Sequence, residues 1–132
     1  VNLTFKQTVQ PCSSCGIWFD SMQLVVEHSG GTYTSPTKSG RLLVKKSSGL
    51  QQRFAADLSA IPAGATIQRA TLYMRLNPHE GLAGSDNGSV LAVYDGRKRV
   101  RNITASGDMK GRGYSKSNPN VPIDFTAYVK GL

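Results

Sequence analysis

The sequence has only two cysteines, two histidines and eight acidic residues among its 132 positions, and these small numbers exclude several kinds of site. Two cysteines cannot form a four-thiolate metal site, and neither His28 nor His79 belongs to a metal-ligand motif, since Glu80 beside His79 does not make one. The chain also lacks the G-x-S-x-G nucleophile motif and the phosphate-binding motif G-x-x-x-x-G-K-[ST]. We therefore predict no catalytic residue, no metal site and no cofactor, and a protein that is not an enzyme.

Long hydrophobic runs are lacking as well. The longest apolar run is Val90 to Tyr94, whereas a membrane-spanning helix needs about 20 apolar residues. We therefore predict no insertion into a membrane. Hydrophobic residues make up 39% of the chain, which is enough for one core and too little for two.

Apolar residues at sustained helical spacing are absent, and alternation of apolar and polar residues takes their place. We predict about eight such strands, joined by turns rich in glycine, serine and proline, which indicates an all-β fold. The predicted architecture is an antiparallel two-sheet β-sandwich with a jelly-roll-like arrangement. No helix is predicted.

Turn-forming residues predict how the strands connect. Leu42–Val44 and a strand through Phe54 are predicted to form a hairpin around a Ser-Ser-Gly turn. Asp95–Gly96 is a strong signal for a second hairpin. Residues 28–40 are predicted to form a long loop, and residues 121–129 alternate as a final strand.

The longest predicted strand, residues 67–76, has two contrasting faces. Its inward face consists of Ala70, Leu72, Met74 and Leu76, and its outward face includes Arg69, Tyr73 and Arg75. Aromatic rings beside cations suit both a sugar and a neighbouring subunit, so this outward row, with Tyr114 and Trp18, is a candidate glycan or partner surface. Alternation alone does not distinguish between these two partners.

Residues 57–76, with the sequence DLSAIPAGATIQRATLYMRL, resemble the central motif of DNRLRE-type domains. Weaker similarity extends to Leu42–Val44 upstream and to Ile123–Val129 downstream. The resemblance implies a jelly-roll-like β-sandwich of secreted or surface proteins, related in shape to polysaccharide-binding modules. It implies a secreted, extracellular or cell-surface location and brings no catalytic residue.

The two ends of the chain depart from that family. If the family's first strand corresponds to Met22–Glu27, residues 1–10 form a surplus strand ahead of the domain. At the other end, the family usually has one more strand after the strand that corresponds to Ile123–Val129, and that strand is missing here. We therefore predict a donor strand and linker over residues 1–20 and a sandwich over residues 21–132, lacking one strand that a neighbouring subunit supplies. The inward face of the donor strand is predicted to consist of Val1, Leu3, Phe5 and Val9, with Gln7 out of step. In the alternative, residues 1–10 are the ordinary first strand of their own sandwich.

Cys12 and Cys15 are the only cysteines, and they stand in the sequence Pro-Cys-Ser-Ser-Cys-Gly. A redox-active pair would need the start of a helix in a βαβ unit, and haem attachment would need histidine where Gly16 stands. We predict a structural disulfide that stiffens the joint between the first strand and the sandwich, with two unpaired thiols as the alternative.

The excess of 16 basic over eight acidic residues gives a formal charge of +8, and it is most concentrated in Arg97, Lys98, Arg99 and Arg101. Cations on an edge strand after a tight turn commonly block unwanted sheet pairing or are simply solvated. An anionic polysaccharide is the alternative partner. Nucleic acid is not favoured, because the chain has no recognisable nucleic-acid-binding fold.

The sequence thus leaves two functions from different classes. In the first, the protein is a structural subunit of an extracellular fibre or surface appendage, a head-to-tail homo-oligomer in which each donor strand completes its neighbour's sandwich. In the second, it is a carbohydrate-binding or adhesion module of a secreted or cell-surface protein. The surplus strand is the feature that favours the fibre. A carbohydrate-binding surface would need exposed aromatic rings, but aromatic residues are only 8% of the chain and several of them are needed in the core.

Overall fold

The computed structural model describes residues 1–78 and 87–132, which fold into two antiparallel sheets around one core. These residues form the strands β1 Asn2–Val9, β2 Ile17–His28, β3 Gly31–Thr34, β4 Lys38–Val44, β5 Gln52–Ala55, β6 Ile67–Leu76, β7 Val90–Asp95, β8 Lys98–Thr104 and β9 Asn120–Asp124. Sheet 1 has the strand order β5-β1-β7-β8. In sheet 2, β6 pairs with β2 and β9, and both β3 and β4 pair with β2. The predicted all-β, two-sheet sandwich is confirmed.

Alternation along the strands produces the core, as the sequence predicts. The inward residues of β6 are all 0% exposed: Ala70, Leu72, Met74 and Leu76. They pair with β2, where Met22 and Val26 are also 0% exposed. Burial of each large apolar side chain contributes about 1.5–3 kcal/mol, so the β2–β6 pair holds the outward residues of both strands in fixed rows.

β1 lies inside sheet 1, between β5 and β7 of its own chain. Its register aligns Leu3 and Phe5 with β5 on one side and with β7 on the other. The predicted domain boundary between residues 20 and 21 falls within β2, where Ile17 and Phe19 are 0% exposed core residues. The predicted donor strand therefore pairs within its own chain, as in the alternative prediction.

The predicted hairpin of β4 and β5 is wrong, because the two strands belong to different sheets. β4 pairs with β2 in sheet 2, whereas β5 pairs with β1 in sheet 1. The connection contains the 3₁₀ turn Lys46–Ser48 and then Gly49, whose φ of 64° lies in the left-handed region. A turn of this composition suits a hairpin and a crossing between sheets equally well, so the local sequence does not distinguish them.

Two hairpins are present among the described strands. β7 and β8 form the predicted one, in which Asp95 pairs with Lys98 and Gly96 has a φ of 60°, as the first central position of a type II′ turn requires. β2 and β3 form a second, closed by His28 and Gly31 within the predicted loop 28–40. The short strand β3 escapes prediction because its residues are mostly glycine and threonine without apolar alternation.

The sequence predicts a strand through residue 129, but β9 ends at Asp124 and a short helix, α1 Thr126–Lys130, follows. The backbone turns because Thr126 N donates to Asp124 Oδ1 at 2.9 Å, while Thr126 Oγ1 accepts from Ala70 N at 3.0 Å. The helix buries Val129 in the core. No helix within the described ranges is long and apolar enough to cross a membrane.

Asp108 fixes the turn that follows β8. Its Oδ2 accepts hydrogen bonds from Thr104 N at 2.8 Å and Thr104 Oγ1 at 3.1 Å, and its Oδ1 lies 3.2 Å from Arg101 Nη2. Burial alone would raise the pKa of Asp108, but the hydrogen bonds from Thr104 and the charge of Arg101 together lower it. The carboxylate thereby holds the turn Ala105–Met109, which places Met109 in the core.

We expect Asp108→Asn to lower the free energy of unfolding by about 1–3 kcal/mol near neutral pH, because hydrogen bonds to a charged group are lost. The folded-state pKa of Asp108 is lowered, so its stabilisation is present above the unfolded pKa, about 3.9, and is lost as pH falls through the folded value. Urea unfolding of both proteins as a function of pH measures this difference. A difference that is the same in strong acid as at neutral pH would contradict the assignment.

Candidate functional site

The inward face of β1 packs into the core, with one change from the prediction. Leu3 is 2% exposed and Phe5 is 0% exposed, and Val1 is partly buried against the same core. The sequence predicts that Val9 points inward, but Val9 is 46% exposed. The pairing of β1 with β7 shifts between Gln7 and Val9, and this irregularity turns the end of the strand outward.

Gln7, which breaks the apolar alternation in the sequence, is the third inward residue of β1 and is 4% exposed. Its Nε2 donates to the Cys15 carbonyl oxygen at 2.6 Å and to Ser89 Oγ at 3.2 Å, and its Oε1 accepts from Lys46 N at 2.9 Å. One buried amide thus joins β1 to three other segments of the chain. The misplaced polar residue in the alternating pattern is the sequence signal that could have identified it.

Cys12 and Cys15 are at disulfide distance, with their Cα atoms 5.0 Å apart, which confirms the predicted bridge. Gln10 holds the same turn. Its Nε2 donates to the carbonyl oxygens of Cys12 and Ser13, and its Oε1 accepts from Ser47 N at 2.7 Å. The segment between β1 and β2, residues 10–16, is therefore a compact turn bonded to the connection that follows β4.

The disulfide closes a very short loop, so we expect the double variant Cys12→Ser/Cys15→Ser to lose only about 2 kcal/mol of unfolding free energy. Urea unfolding checks the value, and the wild-type protein under reducing conditions should show the same loss. A much larger loss of unfolding free energy would indicate that the bridge stabilises more of the structure than the turn between β1 and β2.

The predicted outward row of β6 is placed as expected, but its two cations are already paired. Arg69 Nε lies 2.6 Å from Glu27 Oε2, and Arg75 Nε lies 3.9 Å from Asp20 Oδ2, both across the β2–β6 pair. Tyr73 lies between them and is 42% exposed. The outer face of sheet 2 therefore offers one exposed ring flanked by largely neutralised arginines.

The other two predicted aromatic residues are not free platforms. Trp18 lies on β2 with the Arg41 guanidinium 3.9 Å from its ring centroid, which covers one face of the indole. Tyr114 is half-buried against the core, and burial raises the pKa of its hydroxyl. The structure thus does not bring Tyr114 and Trp18 together with Tyr73 as exposed rings.

The predicted basic cluster is divided by the structure. Arg97 is exposed in the turn before β8, and Lys98 and Arg99 are exposed at the start of β8. Arg101 has a side-chain exposure of 23% and is paired with Asp108. Arg99 instead turns towards β7, where its Nη2 donates to the Tyr94 hydroxyl oxygen at 2.8 Å. Arg101 therefore has a structural role and does not belong to the exposed cationic surface.

His28 is buried, and its Nδ1 accepts a hydrogen bond from Gly30 N. His79 lies outside the described residues. Among the residues that the structure describes, no group of three or more histidine, cysteine or acidic side chains could hold a metal ion.

Comparisons with known proteins add no relative. No family model, no curated protein and no solved structure matches the chain. The similarity of residues 57–76 to DNRLRE-type domains stays a prediction.

Proposed function

We propose that the chain is a structural subunit of an extracellular fibre or surface appendage, in which β1 of one copy takes the place between β5 and β7 of the next. The observation that carries the proposal is the position of β1. It is an inner strand of sheet 1 with Leu3 and Phe5 in the core, and it joins the following strand through one short segment.

An exchanged β1 would keep every contact that it makes within its own chain. A strand that leaves its place exposes the unpaired edges of β5 and β7 and the core beneath Phe5, and the β1 of another copy fits that place equally well. Exchange of an identical element is a low-cost route to association, because each subunit buries the same surface before and after. Each copy thus has both the strand to donate, β1, and the place that accepts it, between β5 and β7.

The turn between β1 and β2 favours such an exchange. Short hinges promote exchange of an element between copies, and only residues 10–16 lie between β1 and β2. When each subunit donates its strand to the next subunit, the contact is head-to-tail. Such contacts build a filament unless the rotation between successive subunits closes a ring. The disulfide also favours the predicted location outside the cell, because disulfides persist in oxidising surroundings.

A cysteine pair that fixes β1 to its own chain tests the proposal. Val1 and Ala56 exchange backbone hydrogen bonds, so the next pair, Asn2 and Ala55, is of the non-hydrogen-bonded kind, with Cα atoms about 4.5 Å apart. That separation suits a disulfide, and both side chains are exposed. We expect oxidised Asn2→Cys/Ala55→Cys to remain monomeric, whereas the wild-type chain refolded at high concentration forms polymers.

Sedimentation and electron microscopy give the readout, and reduction of the double variant is the matched control, because it should restore assembly. A wild-type chain that stays monomeric after refolding at high concentration would overturn the proposal. Polymerisation of the oxidised variant would show that assembly does not use β1.

A further inference from the structure

The outer face of sheet 1 brings together cations that the sequence keeps apart, because Lys6, Arg53 and Arg99 lie on three different strands. Thr4 of β1 pairs with Arg53 of β5 and with Tyr94 of β7, and Tyr94 pairs with Arg99 of β8. Arg53, Thr4, Tyr94 and Arg99 therefore form one line across the sheet. With strands about 4.8 Å apart, the line is about 14 Å long.

Tyr94 fixes the cations at the centre of this line. The Lys6 ammonium lies 5.5 Å from the centroid of the Tyr94 ring, and the Arg99 guanidinium carbon lies 5.4 Å from it. Arg99 is also held by its hydrogen bond to the Tyr94 hydroxyl oxygen. Cations placed over an aromatic ring lose less freedom when they bind an anion, because their positions are already restricted.

These cations have no acidic partner in the part of the chain that the structure describes. No ion pair joins Lys6, Arg53, Arg97 or Arg99 to a carboxylate within residues 1–78 and 87–132, whereas Arg69, Arg75 and Arg101 are all paired. Lys6, Arg53, Arg97 and Tyr94 also line a shallow depression of the sheet surface. The site therefore combines exposed, uncompensated positive charge with a concave shape.

We propose that this surface, the cationic face defined by Lys6, Arg53, Tyr94, Arg97 and Arg99, binds an acidic polysaccharide through its sulfate or carboxylate groups. Guanidinium groups match the oxygens of both anions, and a line across the sheet fits an extended chain with repeated charges. The proposal does not depend on assembly of the chain into a fibre.

Nucleic acid fits this face less well. Proteins that bind single strands stack bases on open aromatic rings, but Tyr94 is flanked by two cations. Proteins that read duplex DNA insert a helix or a two-stranded ribbon into a groove, whereas these cations lie across a four-stranded sheet.

Two double variants of equal charge test the site on the full chain. Arg53→Gln/Arg99→Gln removes two positive charges from the cationic face, and Arg69→Gln/Arg75→Gln removes two from the opposite sheet. Heparin serves as the sulfated probe, polygalacturonate as the carboxylated probe and neutral dextran as the uncharged control.

We expect the wild-type chain to bind heparin, polygalacturonate or both, but not dextran. Arg53→Gln/Arg99→Gln should lose about tenfold or more in affinity, and its dependence on salt should become weaker. Arg69→Gln/Arg75→Gln should bind almost as the wild type does. Lys6→Gln is a second variant of the same site and should also weaken binding.

Three results would overturn the proposal. In the first, the wild-type chain binds neither acidic polysaccharide at about 0.1 M salt. In the second, the two double variants weaken polysaccharide binding equally. In the third, the wild-type chain binds duplex DNA more tightly than either polysaccharide. Circular dichroism of each variant confirms that it is folded. All of these measurements use the monomer, so they are independent of the polymerisation experiment.

Discussion

Replacing Phe5 by alanine is expected to lower the free energy of unfolding by about 3–5 kcal/mol, among the largest effects available to a single substitution in this chain. Phe5 is 0% exposed, belongs to the core and pairs with Gln52 of β5 and Val93 of β7. Alanine would leave a cavity that the two flanking strands cannot close. Urea unfolding measures the loss.

Val9→Ala is the matched control, because the sequence places Val9 on the same face as Phe5 while the structure leaves it 46% exposed. We expect its effect to remain within about 0.5 kcal/mol. A cost for Val9→Ala similar to that for Phe5→Ala would mean that the strand continues past Gln7 without the irregularity seen here. The pair of variants therefore measures the register of β1 directly.

Deletion of residues 1–10 is expected to prevent the remaining chain from folding on its own. The deletion removes the buried side chains of Leu3, Phe5 and Gln7 and leaves the facing edges of β5 and β7 without partners. A peptide of residues 1–10 added to the shortened chain should restore the fold, since Leu3 and Phe5 each contribute about 1.5–3 kcal/mol when buried. Near-ultraviolet circular dichroism reports the recovery of fixed side-chain packing.

The same peptide with Phe5→Ala is the control and should restore the fold poorly. If the shortened chain folds with an unchanged spectrum and melting temperature in the absence of peptide, β1 is dispensable and cannot be the element that links subunits. If the peptide restores the fold, β1 acts from a separate molecule, as assembly by strand exchange requires.

Most of the architecture could be predicted from alternation, because alternation reports which side of a strand is buried. Alternation predicts the two faces of β6, the Asp-Gly turn signal predicts the hairpin at Gly96, and both are confirmed. Connections were less predictable. The turn after Val44 gives no sign that the chain crosses to the other sheet, because turn residues encode a local bend and the partner strand is set by the whole core.

The candidate surfaces were likewise predictable where they depend on one strand, and unpredictable where they depend on strands that are distant in sequence. The outward position of Arg69, Tyr73 and Arg75 follows from one strand, but the neutralisation of the two arginines by carboxylates on β2 depends on cross-strand register. The cationic face joins residues from β1, β5, β7 and β8, which are distant in sequence. Gln7 was visible only as an interruption, since its three partners come from other segments.

The central claim is that β1 pairs with a neighbouring copy in the assembled state, and a mixture of two single-cysteine variants measures this pairing directly. Asn2→Cys and Ala55→Cys are placed on separate chains, which are refolded together at high concentration and then oxidised. Because Asn2 and Ala55 face each other in the β1–β5 register, exchange brings the two introduced thiols together across subunits. We expect linked dimers in which mass spectrometry identifies a disulfide between the peptide that carries position 2 and the peptide that carries position 55. Absence of that linked pair, while the double variant closes the same bridge within one chain, would contradict strand exchange and make β1 an ordinary strand of its own sandwich.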